Sequence, residues 1–86
     1  MQVAFTPQFR RQFRKLPQAL QAEALEKIAL FENPERHATL RVHKLKGALS
    51  GRWSFSVNYR FRIVFLWEKQ TASAILLAIG AHSVYD

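Results

Sequence analysis

The sequence predicts an α+β domain in which an N-terminal strand and a two-helix hairpin pack on a mainly antiparallel sheet of four to five strands. Two observations predict it. Apolar residues recur at helical steps before Pro34 and at alternate positions after Gly51, so one half offers a helix face and the other a sheet face to a shared interior. Thr6-Pro7, Pro17 and Asn33-Pro34 punctuate the helical half, where each marks a helix start or stop. A chain of 86 residues has room for one domain, 1–86, with a single small core.

Gln2 to Phe5 alternates as a short strand, and Thr6-Pro7 suits a helix start because Thr caps free N–H groups while Pro tolerates the first turn. A helix is expected from Pro7 to Leu16, with Phe9, Phe13 and Leu16 on one face and Arg10, Arg11, Arg14 and Lys15 over the remainder. Pro17 breaks it. The second helix, Gln18 to Glu32, repeats the stripe with Leu20, Ala24, Ile28 and Phe31, and sets Glu23 and Lys27 one turn apart as an exposed ion pair. His37 follows in a loop and receives no role.

Arg41 to Leu45 reads as a short extended piece, and Gly47 to Gly51 as a turn containing Ser50. Arg52 to Val57 and Arg60 to Trp67 are strands joined at Asn58-Tyr59 in a tight hairpin. Their alternation turns Trp53, Phe55, Val57, Phe61, Ile63, Phe65 and Trp67 towards the helices, and Arg52, Ser54, Ser56, Arg60 and Arg62 away from them. After a turn at Glu68 to Ser73, Ala74 to Gly80 is a last apolar strand ending in Ala81-His82. Strict alternation puts Leu76, Ala78, Gly80 and His82 on one side, a surface of small residues with room for a ligand.

Thirteen Lys and Arg against six Asp and Glu give a formal charge of +7, which favours polyanions or acidic proteins as partners. The absence of cysteine excludes disulfides, thiolate metal sites and a cysteine nucleophile. No stretch reads as a secretory signal, and the longest apolar run, Ala74 to Ile79, is far short of the ~20 residues that span a bilayer as a helix. A cytoplasmic protein without a membrane anchor is expected.

The segment from His43 to Tyr85 concentrates the side chains that RNA cleavage needs. Cleavage requires a base for the ribose 2′-OH, a proton donor for the departing 5′-oxygen, and fixed positive charge at the phosphorus. His43 and His82 suit either proton-transfer role, since free imidazole has a pKa of about 6.5. Arg62 suits the phosphate clamp because a guanidinium grips two oxygens at once. Of Lys44 and Lys46, Lys46 is the one taken to face the groove. Lys44, Arg52 and Arg60 would hold the RNA backbone, although each also suits an ordinary solvated strand position. Tyr85 could stack on a base or donate a proton. The Arg10 to Lys15 run reads as a solvated face or a protein-docking surface.

The order of elements, the helical hairpin ending in Asn-Pro, and the stretches HKLKGALSGRWSFSV, YRFRIVF and IGAHSVY resemble the RelE/ParE superfamily of bacterial toxin–antitoxin toxins. The likeness covers nearly the whole chain and is greatest to the YoeB-like and YafQ-like branches of the RelE side. It implies a RelE-like fold and a ribosome-dependent endoribonuclease that cuts mRNA in the decoding site and is neutralised by a cognate antitoxin. His43 matches the position where branch members keep a Glu or His as general base, Lys46 a basic residue of the YoeB-like branch, Arg62 the arginine of the R-[IL]-V strand, and His82 the general acid. Tyr85 resembles the C-terminal aromatic. Ser54 and Ser56 stand where RelE itself has lysines, so the resemblance implies a two-histidine mechanism with no metal and no cofactor. A ParE-like gyrase inhibitor and a non-catalytic ribosome- or RNA-binding module are the alternatives.

Overall fold

In a computed structural model of the chain, which describes residues 1–47 and 51–81, the punctuation residues do what their chemistry suggests. Strand β1 (Gln2–Phe5) hands over to helix α1 (Pro7–Arg14) at Thr6, whose Oγ1 accepts from the Phe9 N–H at 3.1 Å. Gln21 closes the far end of α1, its Nε2 lying 3.1 Å from the Phe13 carbonyl and 3.0 Å from that of Leu16. Helix α2 (Gln18–Phe31) follows directly. The expected bounds of both helices run slightly long, because Lys15 and Glu32 serve as C-caps.

A 3₁₀ helix, Pro34–Leu40, then occupies the segment read as a loop, started by Asn33 Oδ1 accepting from the Glu35 N–H at 3.1 Å. Arg41 ends it in the left-handed region at φ 56°. Strands β2 (His43–Lys44), β3 (Trp53–Ser56), β4 (Phe61–Glu68) and β5 (Ser73–Ala81) complete a five-stranded sheet in the order β1-β5-β4-β3-β2. Among the described residues only the β1–β5 pairing is parallel. The α+β architecture expected from the sequence is therefore present, with β4 at the centre of the sheet. No helix among the described residues is long and apolar enough to cross a membrane.

The aromatic rows meet the helices as their alternation requires. Phe9, Ala24, Ile28 and Phe31 from the helical side form one core with Phe55, Val57, Ile63, Phe65 and Leu76 from the sheet. Phe31 is fully buried at the centre, stacked on Phe55 with centroids 4.2 Å apart and met edge-on by Phe65 at 4.8 Å. His37 also belongs here. Its ring stacks on Phe31 at 4.8 Å, and its Nε2 donates to the Phe31 carbonyl at 2.8 Å, so the imidazole extends the core and fastens the 3₁₀ helix to α2.

Three expectations fail for identifiable reasons. The link between β3 and β4 is wider than two residues, because Asn58 Oδ1 accepts from both Arg60 N–H (2.8 Å) and Phe61 N–H (2.9 Å) and builds an Asx turn. Arg60 consequently sits exposed in that turn instead of on the polar strand face. The Glu23–Lys27 ion pair is replaced by a bond from Asn58 Nδ2 to Glu23 Oε1 at 2.8 Å, while Lys27 lies 3.8 Å from Glu26. Finally, a β-bulge interrupts the β4–β5 ladder, with Val64 opposite Ala78 but Phe65 opposite Leu76. The extra residue, Leu77, reverses the alternation. Leu76 therefore enters the helix-side core, whereas Ala78 packs with Leu45 and Val64 on the other face.

Candidate functional site

The face of the sheet turned away from the helices is assembled by register. His43 lies opposite Ser54, Ser54 opposite Val64, and Val64 opposite Ala78, so these residues form one row across four strands. Ser56, Arg62 and Gly80 form the next row. Residues directly opposite share a face, and the two rows are two residues apart along each strand. His43 and Arg62 thus occupy the same face. Ideal sheet spacings separate their backbones by about 12 Å, with small side chains between.

Arg62 comes from the central strand and is only 4% exposed. A guanidinium on a paired strand at that depth is held far more firmly than one on a surface loop. Ser54 beside it is fully buried, and its Oγ makes no hydrogen bond among the described residues. His43 is exposed at the sheet edge, yet its ring is oriented, since Nδ1 lies 2.8 Å from the Arg41 carbonyl. A carbonyl can only accept, so Nδ1 carries the proton and Nε2 holds the lone pair of the neutral ring. The left-handed backbone at Arg41 accompanies this short-range bond.

The other cations distribute unequally. Lys44 lies opposite Trp53, on the alternate side of β2 from His43, and is exposed. Lys46 is exposed beyond β2, just before Gly47, whose φ of 70° turns the chain. Arg52 is half-buried before β3, with its carbonyl accepting from the Leu45 N–H at 2.8 Å. Arg60 is exposed in the turn and belongs to neither row. His82, Tyr85 and Ser50 lie outside the described residues.

Arg11, read from the sequence as part of a solvated face or a protein-docking surface, lines a cavity with Arg52 on this side of the sheet. Its neighbours Arg10 and Arg14 line a separate apolar groove with Phe5, Phe9 and Leu25. The helical wheel carried this signal, because Arg11 is the α1 cation displaced from the Arg10 and Arg14 side. Among the described residues no group of three His, Asp or Glu side chains could hold a metal ion.

No protein-family model and no curated protein matches the chain. Solved structures do. A chain of the RelBE2 toxin–antitoxin complex from Mycobacterium tuberculosis superposes with a TM-score of 0.76 at 22% identity, covering 95% of this chain and 91% of that one. The chain has the RelE toxin fold. The archaeal RelE–RelB complex from Pyrococcus horikoshii shares the RelE fold with a TM-score of 0.73 at 19% identity, covering 93% and 92% of the two chains. A YoeB/ParE toxin from Agrobacterium tumefaciens gives 0.72 at 17% identity, over 95% and 99%.

Proposed function

We propose that this RelE-fold protein is the toxin of a type II toxin–antitoxin pair, a ribosome-dependent endoribonuclease that cuts mRNA by acid–base chemistry in the cytoplasm. The observation that carries the reading is the oriented His43 imidazole on the same sheet face as the deeply seated Arg62. In the proposed reaction His43 Nε2 takes the 2′-OH proton, and the 2′-oxygen attacks the adjacent phosphorus. Arg62 and Lys46 stabilise the charge that develops on the phosphoryl oxygens. His82 protonates the departing 5′-oxygen, leaving a 2′,3′-cyclic phosphate and a free 5′-hydroxyl. Tyr85 contacts the base, and Lys44, Arg52 and Arg60 hold flanking phosphates. The ribosome would supply alignment of the message, because so sparse a catalytic set depends on an in-line geometry that free RNA seldom adopts. A cognate antitoxin with acidic segments would neutralise the +7 chain.

The test is expression of wild type, Arg62→Ala and His82→Ala, with primer extension on translated transcripts. Wild type should arrest growth and cut messages, and each variant should relieve both effects while retaining the wild-type circular dichroism spectrum. Full toxicity in both variants overturns the assignment. DNA damage with intact transcripts would point instead to a gyrase-type target.

A further inference from the structure

We propose that the cavity between the start of α1 and the sheet is a second RNA subsite, one that seats a nucleotide flanking the cleaved bond. The cavity holds about 500 Å³ and is lined by Gln8, Arg11, Arg52, Val64, Leu77 and Ala78, among others, a size within the usual range for small-ligand pockets. Its composition is divided. Val64 and Ala78 are buried and, packed with Leu45 and Leu77, form an apolar floor. Two guanidinium-bearing residues come from separate elements, and among the described residues no carboxylate lines the cavity. An apolar surface bordered by paired cations fits a nucleobase laid flat with its phosphate between the arginines.

The space is preformed. The Thr6 N–H donates to the Leu76 carbonyl at 3.1 Å, and Thr6 Oγ1 donates to the Leu77 carbonyl at 3.0 Å. Gln12 Oε1 accepts from the Ile79 N–H at 2.9 Å. These bonds tie α1 to β5 on both sides of the bulged Leu77, so the wall bearing Arg11 cannot swing away without breaking them. Location decides which ligand is meant. Arg52 lies on the same chain run as Ser56, the residue opposite Arg62, about 13 Å along the strand direction. A single strand with its reacting phosphate at Arg62 would pass the cavity with a neighbouring nucleotide. The inference rests on the nuclease reading for which strand is bound; it gives Arg11 an RNA-binding role and pairs it with Arg52, already taken to hold a flanking phosphate.

The probe is a single-stranded hexanucleotide with 2′-O-methyl riboses, which lack the attacking hydroxyl, titrated into the methyl-labelled full chain. Methyl resonances of Val64, Leu77 and Ala78 should shift. Arg11→Gln and Arg52→Gln should each weaken binding roughly tenfold and reduce the slope of log affinity against log salt by about 0.7. Arg10→Gln and Arg14→Gln, on the opposite groove, should leave the methyl shifts unchanged. Unmoved methyls, or Arg11 and Arg52 variants that bind as wild type, overturn the subsite even where mRNA cleavage is intact. Equal methyl shifts on adding hexaglutamate also overturn it, in favour of an acidic peptide. Shifts that persist while translated mRNA remains uncut support the subsite and overturn the nuclease.

Discussion

The two faces of the sheet are made from the same strands and follow opposite rules. Towards the helices stand Phe55, Ile63, Phe65 and Leu76, closed over by Phe31 and packed at ring contact distances. On the reverse, Ser54, Arg62, Val64, Ala78 and Gly80 replace bulk with small residues and a cation. Both faces exclude water at these positions, since Ser54, Arg62, Val64 and Ala78 are buried as well. The reverse face differs in what it buries: small side chains and a cation in place of rings. Under the proposed activity stability and chemistry divide by face, and substitutions should sort accordingly.

The largest effect expected is on the closed face. Phe31→Ala removes the ring on which Phe55, Phe65 and His37 converge and should cost about 3–5 kcal/mol, measured by urea unfolding. On the reverse face, His43→Ala should lower single-turnover cleavage on programmed ribosomes by about 10²-fold or more with an unfolding midpoint near that of wild type. A large stability loss for His43→Ala would show that the edge of this face is structural and blur the division. Gln12→Ala tests the tether between the regions, since it removes the acceptor for the Ile79 N–H. Leaving that amide unsatisfied should cost about 1–3 kcal/mol, again read by urea unfolding. The smallest effect is a gain. Ala72 adopts φ 50° between β4 and β5, so Ala72→Gly should raise stability by about 0.5 kcal/mol, visible as a slightly higher melting temperature.

Elements with strong local signals could be read without coordinates. The aromatic alternation from Trp53 to Trp67, the Thr6-Pro7 start and the Asn33-Pro34 stop all correspond to observed features. Arg62 could be placed on the reverse face because strand parity is reliable away from bulges. Parity failed where one residue was inserted. Nothing local distinguishes Leu77 from its apolar neighbours, so the side occupied by Ala78 depended on long-range bonds from Thr6 and Gln12. Asn58 likewise chose Arg60, Phe61 and the distant Glu23 as partners, which displaced Arg60 and dissolved the pairing expected within α2. The orientation of His43 was equally hidden, since it accompanies a left-handed turn at Arg41 that no glycine announces.

The parallel pairing of β1 with β5 sets a timetable for the molecule. Val3 lies opposite Ala74, so during synthesis β1 must wait for β5, about seventy residues later, before it can join the sheet, and non-local closure of this kind is slow. Thr6 and Gln12 wait as well, because their bonding partners are Leu76, Leu77 and Ile79. A nascent copy lacking Ser73–Ala81 has no completed cleft, and under the proposed activity it would be harmless to the machinery still translating it.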